Sequence, residues 1–320
     1  DTCNEEPVDH FNYAEEFKIV EVLKEYRSPF TILMSKSDRF KPEEEEHFDC
    51  EVECNYTNKN EEMNNLTVNY QENCELYYDF TENNDLPIVQ QNLKKKNDQL
   101  QKYYHQRYDY FSLFDEGIQI DEEGWYSVTP EIIAHHIAEE AYSIALTNKT
   151  TEYSGKTVIL DAFCGVGGNT IQFAKFFDLV IAVDMDSGRL EMARHNAIIY
   201  GVSERIQFIL GDVFTVLPEL SDKGIDLVFM SPPWGGPDYV SKEIFCPCAD
   251  LLNGRGEELF RLARSISPNL ILFLPRQTDI FAVAKMVQNE KDKCSKDVSF
   301  VVEQHWLRNR LKAISIYFYS

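Results

Sequence analysis

What this chain has least of is positive charge. It carries 31 Lys and Arg against 54 Asp and Glu, a formal net charge of −23 at pH 7 in 320 residues. A surface of that sign repels phosphate, which excludes broad, sequence-independent binding along nucleic acid. A small, locally basic site for one phosphorylated end stays compatible with it. Long apolar runs are missing as well; none approaches the ~18 residues that a membrane-spanning helix needs. The start, Asp1-Thr-Cys-Asn-Glu-Glu6, has neither the basic nor the apolar part of a secretory leader, and no initiator Met, so the chain is expected to be a segment of a longer protein. Good zinc spacing is absent: Cys50-x3-Cys54 and Cys246-Pro-Cys248 lack a second pair at a useful distance. The eight cysteines are therefore read as reduced thiols of an intracellular protein, and no metal is expected. In that setting the Asn-x-Thr triplets at Asn55, Asn65 and Asn148 carry no glycan.

The missing charge is unevenly distributed. Residues 1–98 hold 24 acidic and 10 basic side chains, a net of −14, and residues 99–320 hold 30 and 21, a net of −9. Residues 1–92 show little periodicity beyond one amphipathic stretch from Tyr13 to Tyr26 and a segment Ser28–Met34. Their composition predicts a flexible, acidic region. Residues 93–150 change character. Leu93 to Tyr108 is basic and aromatic without Gly or Pro and predicts a helix; Thr129 and Pro130 predict the N-cap and first position of another, running to Leu146. His135 and His136 are adjacent on it and point apart, so a carboxylate four positions on is a better partner for them than a metal. Residues 93–150 are thus expected to form a small helical extension, and 151–320 a second domain.

With 43% hydrophobic residues, that domain can bury a substantial core. From Thr157 the chain repeats a strand–helix rhythm. Thr157–Phe163, Leu179–Asp184, Ile206–Leu210, Asp226–Met230 and Asn269–Leu274 read as buried parallel strands. Val298–His305 and Ala313–Tyr319, either side of a short basic turn, read as an antiparallel end. The sum is an α/β fold with a doubly wound, seven-stranded sheet.

In such sheets ligands bind beyond the carboxyl ends of the strands. Three carboxylates lie there. Asp161 ends the first strand, before Phe163-Cys-Gly165-Val-Gly167-Gly168-Asn-Thr170. That loop misses the dinucleotide fingerprint, because the sixth position from Gly165 is Thr170 rather than Gly or Ala. A carboxylate at Asp161 repels pyrophosphate and attracts the ammonium of an amino-acid ligand. Asp184 ends the second strand, where it can hold both hydroxyls of a ribose. Asp212 follows the third, where it can accept from an adenine amine. Together they predict a pocket for S-adenosyl-L-methionine, with Phe163, Gly165 and Gly167 against it. The fourth strand stops abruptly at Ser231-Pro232-Pro233-Trp234, since proline cannot donate to a sheet ladder. A polar residue, two prolines and an aromatic at this place suit an exocyclic base amine, with carbonyls accepting from the amine and the indole stacking on the base.

The segments Asp161–Phe173, Ser231-Pro-Pro-Trp-Gly-Gly-Pro-Asp-Tyr239, Phe273-Leu-Pro-Arg276, Lys102-Tyr-Tyr-His-Gln-Arg-Tyr108 and Glu123-Gly-Trp-Tyr-Ser-Val-Thr-Pro130 resemble the trimethylguanosine synthase family. The resemblance covers about residues 100–320. It implies a class I S-adenosylmethionine-dependent methyltransferase, Rossmann-like, with a small N-terminal helical extension. It implies transfer to the exocyclic 2-amino group of the 7-methylguanosine cap of small nuclear and nucleolar RNAs, in the nucleus (nucleolus or nuclear bodies) and cytoplasm. The acidic region 1–92 lies outside the resemblance, carries no site residue and is expected to serve localisation or protein partners. The resemblance further implies that Trp234 stacks on the cap base while Ser231 and Pro232 line the amine. Asn196 then touches the base or the site wall, Lys102 and Arg276 hold the cap phosphates with Tyr239 nearby, and Phe111, Ser127 and Thr129 help close the cofactor pocket. Many amine methyltransferases carry Asp or Asn where Ser231 stands. Serine is no strong base, so catalysis is expected to proceed by alignment, which alone supplies roughly 7–11 kcal/mol. Two other readings share parts of this pattern: an adenine amino methyltransferase on RNA or DNA, against which the charge argues, and a silent cap-binding module, which has no use for a donor pocket.

Overall fold

The computed structural model describes residues 98–147, 155–236, 242–291 and 298–319. The expected amphipathic stretch at 13–26, the acidic region 1–92 and Tyr239 lie outside the described residues.

Seven strands are found: β1 Val158–Asp161, β2 Leu179–Asp184, β3 Ile206–Leu210, β4 Leu227–Met230, β5 Leu270–Pro275, β6 Ser299–Leu307 and β7 Arg310–Tyr319. They form one sheet in the order β3-β2-β1-β4-β5-β7-β6. β1 to β5 run parallel, β7 is antiparallel to β5, and β6 pairs antiparallel with β7. The expected doubly wound, seven-stranded sheet with an antiparallel end is therefore present. β1 and β4 are buried at every position, which explains their unbroken apolar runs: helices cover both faces of a parallel sheet. The chain reverses its winding between β1 and β4, and that switch point opens a crevice at the carboxyl ends of the strands.

Two apolar clusters hold the layers. One joins Ile133, Ile137 and Ala141 of the helix Glu131–Thr147 to Phe173, Phe229, Ile271 and Phe273. The other joins the extension to the sheet: Tyr110, Phe111, Phe114, Ile118 and Trp125 pack with Val166, Leu190, Ala193 and Phe208. Trp125 is 2% exposed and has the rings of Phe114, Tyr104 and Tyr110 at 5.7, 6.1 and 6.3 Å. The extension is thus a packed part of this body rather than an appendage.

Several local expectations change. The helix expected from Leu93 to Tyr108 breaks at Gln106 (φ −99°, ψ 12°) into Asp98–His105 and Arg107–Tyr110. Thr129 is not an N-cap; its Oγ1 accepts from Asn169 Nδ2 at 3.0 Å, and Pro130 O accepts the first bond of the helix, from Ala134 N at 2.9 Å. His135 does pair with the carboxylate four positions on, Glu139, at 3.7 Å. His136 instead reaches β6, where its Nε2 lies 2.6 Å from Glu303 Oε1.

Glu303 is the centre of a buried polar network between β6, β7 and that helix. Its Oε2 also accepts from Tyr317 Oη at 2.6 Å, and nearby His305 bonds Ser315 Oγ at 2.7 Å. The Glu303 bond holds the His136 imidazolium above its ordinary range, against the effect of burial. Burial pushes His305 down to about 4. His136 therefore contributes stability that is complete below the unfolded value of about 6.5 and fades as pH rises through its raised folded value. The neutral His305 contributes stability above about 6.5 that is lost as pH falls toward about 4. Ring-proton titration by NMR should show the two histidines displaced in opposite directions. Glu303→Gln should bring His136 back to or below the ordinary value; an unmoved His136 would disprove the pairing.

Candidate functional site

A cleft of about 540 Å³ lies at the carboxyl ends of β1 to β4, over the switch point. Its size suits a small-molecule ligand. Of the residues expected there, Phe163, Gly165, Asp184, Asp212, Ser231, Pro232, Trp234, Ser127 and Thr129 line it. Each arrives at the end of a strand or from the extension that folds over them.

The loop after β1 is shaped by two carboxylates. Asp184 Oδ2 accepts from Gly165 N at 2.8 Å and its Oδ1 from Asp186 N at 2.9 Å, so it ties the β1 loop to the β2 loop. Burial raises its pKa, and these amide bonds act the other way. Asp161 is 1% exposed and does not line the cleft. Its oxygens accept from Thr170 Oγ1 at 2.6 Å and Phe163 N at 3.4 Å, under the loop. Burial pushes this carboxyl up to about 7, with the Thr170 and Phe163 bonds opposing. The expected direct ammonium contact of Asp161 is therefore corrected to a place one layer below. Asp212 caps the helix Val213–Glu219 through Oδ1, accepting from Phe214 N at 2.8 Å, and its Oδ2 has no hydrogen bond among the described residues. Gly167 is also off the lining: with φ +91° it brings the loop so near the next helix that a Cβ would sit 3.2 Å from Ala193 Cα.

Asn169 was not foreseen and lines the cleft. It is 9% exposed; Nδ2 is held by Thr129, and Oδ1 is buried without a partner among the described residues. An orphaned acceptor beside a ring of carboxylates fits a ligand that brings an ammonium, as S-adenosylmethionine does. Across the cleft, Phe214 carries the Arg255 guanidinium on its ring at 3.4 Å, and Leu252 adds an apolar wall. Leu252 and Asn253 hold left-handed backbone (φ 47° and 57°), a conformation costly for a branched side chain.

The Ser231–Trp234 corner sits opposite the carboxylates. Pro232 is buried, while Ser231 and Trp234 are half-buried. Ser231 Oγ makes no hydrogen bond among the described residues. The indole is fixed by Nε1 donating to Phe273 O at 3.3 Å and by the Phe273 ring at 5.6 Å, tilted 36°. It is a rigid aromatic surface on the cleft wall.

The remaining expected residues lie elsewhere. Asn196 is fully buried and touches no ligand space. Its Nδ2 donates to Gln119 O and Val166 O, both at 2.9 Å, and its Oδ1 accepts from Gln119 N at 2.8 Å. It braces the wall from behind by clamping the extension to the β1 loop. Phe111 is 2% exposed and packs on Tyr200 at 6.2 Å, inside the extension's core and off the lining. Lys102 is exposed, with Nζ 4.7 Å over the Tyr103 ring; Tyr103 meets the cleft residue Tyr126 edge-on at 5.0 Å. Lys102 is thus one aromatic layer outside. Arg276 is exposed beyond β5 and donates to Leu311 O at 3.4 Å. Among the described residues no group of three or more His, Cys, Asp or Glu side chains could hold a metal, and no helix is long and apolar enough to cross a membrane.

Comparisons with known proteins bear on this geometry. A family described as RNA cap guanine-N2 methyltransferase matches residues 156–320. The chain is 44% identical over 188 residues to "Trimethylguanosine synthase" of Schizosaccharomyces pombe, covering 58% of this chain and 74% of that protein. It is 34% identical over 230 residues to the protein of the same name from Saccharomyces cerevisiae, covering 71% and 70%. Among solved structures, "Human methyltransferase 10 domain containing protein" aligns over 69% of this chain and 97% of its own, at 12% identity and a TM-score of 0.45.

The Asn196 clamp is open to a direct test. Asn196→Ala leaves three backbone groups unpaired in the interior, at about 1–3 kcal/mol each when buried. Denaturant unfolding should show a loss of at least about 2 kcal/mol. A change near zero would mean the amide does not join the extension to the site.

Proposed function

Because the chain belongs to the RNA cap guanine-N2 methyltransferase family, we propose that its cleft takes S-adenosyl-L-methionine and the 7-methylguanosine cap of small nuclear and nucleolar RNAs, giving 2,2,7-trimethylguanosine. The enzyme itself is a cap guanine methyltransferase acting on RNA. The observation that carries the finer reading is the division of one cleft into two walls: strand-end carboxylates with an orphaned Asn169 acceptor on one, and the Ser231–Trp234 corner on the other. A polynucleotide adenine methyltransferase is not favoured, since the matching family is described by cap guanine-N2 methylation and the chain is strongly acidic.

When bound, S-adenosylmethionine supplies an electrophilic methyl on a sulfonium. Asn169 Oδ1 accepts from its ammonium, with the Asp161 carboxyl one layer below. Asp184 has one further lone pair on each oxygen for the ribose hydroxyls, and Asp212 Oδ2 takes the adenine amine, with Phe214 alongside. Trp234 holds the guanine plane. Ser231, with its hydroxyl uncommitted, accepts from the 2-amine and turns the nitrogen lone pair toward the methyl. No basic side chain is needed, because the amine proton becomes acidic once the new N–C bond forms and leaves to water. Lys102 and Arg276, outside the cleft, hold the cap phosphates. We further propose that residues 1–92 serve protein partners and that the enzyme works in nucleus and cytoplasm.

Two outcomes follow. Asp184→Ala should weaken S-adenosylmethionine binding by calorimetry, by about 1.5–3 kcal/mol for each charge-assisted bond lost, and unchanged affinity would take Asp184 out of the pocket. Guanine methylated at its 7 position carries a delocalised cation that an indole face attracts by about 0.5–2 kcal/mol, on top of the charge-blind stacking of about 1–3 kcal/mol. Initial rates on unmethylated caps, below saturation, should therefore be roughly 2- to 30-fold lower than on 7-methylguanosine caps. Trp234→Phe should keep part of the rate and Trp234→Ala almost none. Equal rates on the two caps would defeat the charge argument.

A further inference from the structure

Among the described residues the cleft lining carries four carboxylates, Glu123, Asp184, Asp186 and Asp212, and one cation, Arg189. Arg189 stands third in the helix Ser187–Ile199, which Asp186 caps by accepting from Arg189 N at 3.0 Å. The first turn of a helix is its positive end, where an anion is stabilised and a cation is not. The helix itself therefore gives no reason for a cation at this place. The reason lies in what the side chain reaches.

The half-buried guanidinium of Arg189 divides between two carboxylates of the extension. Nε donates to Asp121 Oδ2 at 3.0 Å, and Nη2 donates to Glu123 Oε2. These two residues belong to one tight turn. Asp121 Oδ1 accepts from Gly124 N at 2.8 Å, and a Cβ on Gly124 would meet that oxygen at 2.6 Å and Ile120 Cγ2 at 2.8 Å. From this turn the chain runs into Tyr126, Ser127, Val128 and Thr129, all on the cleft lining. On its other side Arg189 acts on Asp184. Burial raises the pKa of that carboxyl and the Asp186 charge adds to the rise, while the amides of Asp186 and Gly165 and the Arg189 charge hold it down. Arg189 thus lies between two acidic edges: Asp121 with Glu123 on the extension, and Asp184 with Asp186 at the end of β2. Without the cation these edges are like charges at one rim and repel each other.

We infer that Arg189 is a positioning residue for S-adenosylmethionine: it holds the turn of the extension closed at the β2 end of the cleft and supplies the positive charge that faces Asp184. The inference rests on the cofactor reading above, in which Asp184 takes the ribose hydroxyls. A hydroxyl donates more strongly to an ionised carboxylate. Cofactor affinity is therefore full above the Asp184 pKa and fades as pH falls through it. Removing the Arg189 charge raises that pKa, so the fading begins at higher pH. The charged and titratable groups around Asp184 are Asp161 on β1, Cys164 in the loop after it, Asp186 and Arg189 at the start of the next helix, and Asp121 and Glu123 across Arg189. Asp161 titrates near 7 for a different reason, burial under the loop, and that contribution is common to every variant below.

The test follows S-adenosylmethionine binding by calorimetry from acid to neutral pH, and the Asp184 carboxyl by carbon NMR, in the full chain without RNA. Arg189→Gln should weaken binding at neutral pH by roughly 2- to 5-fold, the range of a partly exposed ion pair, and should move the Asp184 midpoint upward. Arg189→Lys keeps the charge without the two-pronged fork and should return the midpoint to that of the parent. Glu123→Gln loosens the turn but leaves Arg189 facing Asp184. It should weaken binding without raising the midpoint, and it carries the test if Arg189→Gln does not fold. An unmoved midpoint or an unchanged affinity in Arg189→Gln would overturn the proposal, as would unchanged affinity in Glu123→Gln. Equal upward displacement in Arg189→Gln and Glu123→Gln would also overturn it, since general loosening of the rim would then account for both. A parent chain that binds no S-adenosylmethionine at any pH would instead defeat the cofactor reading, whatever the midpoints do.

Discussion

The arrangement depends on a carboxylate kept partly out of water. Asp184 ends β2, yet its two oxygens serve two loops, taking Gly165 N on one side and Asp186 N on the other. It fixes the glycine-containing loop after β1 together with the Asp161 bonds beneath it and the Asn196 bond to Val166 O, a backbone that the positive φ of Gly165 and Gly167 would otherwise leave many choices. Once that loop is set, Gly167 lies against Ala193, Gly168 lies under Val128, and Asn169 can reach Thr129. This loop is one of the places where the extension and the sheet are registered to each other, beside the Gln119–Asn196 clamp and the Arg189 pairs with Asp121 and Glu123. Burial raises the Asp184 pKa against these two bonds, and each of its oxygens keeps a lone pair for a further donor.

The fold was legible in the chain because a parallel sheet writes its burial as unbroken apolar runs, and its ligand edge as whatever polar residue follows each run. Val158–Asp161, Leu179–Asp184 and Leu227–Met230 all stop where the cleft begins. What was not legible depended on contacts between distant residues. Nothing near Asn196 announces that its amide will be consumed by Gln119 and Val166. Nothing around Phe111 distinguishes a buried packing ring from a pocket wall, and Asp161 looks like any strand-end carboxylate until Thr170 covers it. Asn169 sat inside a motif already singled out. Its signal was available as an amide next to a glycine turn, but its orphaned oxygen appears only when Thr129 has taken the other end. Leu252 and Asn253 hold left-handed backbone; Asn253-Gly254 marks a turn, but nothing marks Leu252 as a wall of the cleft.

The site separates its two ligands by charge as well as by place. Carboxylates and an amide acceptor gather over β1 to β3, an uncharged proline corner and an indole stand over β4, and the cations Arg276 and Lys102 lie outside the cleft beyond β5 and on the extension. Reaction at the boundary between those zones needs position more than proton transfer. That matches a corner whose first residue is a serine and whose aromatic is held on two sides by Phe273.

The clamp between Gln119 and Asn196 spans 77 positions of chain. The extension is synthesised before the sheet, carrying Trp125 and the aromatic rings that surround it, while the sheet-side surfaces that bury them have yet to be made. Nascent chain is added at about 5–20 residues per second. For several seconds, therefore, a cluster of apolar rings is exposed with only itself to pack against. A chain so strongly acidic is well suited to that interval, because like-charged nascent molecules repel before their cores close.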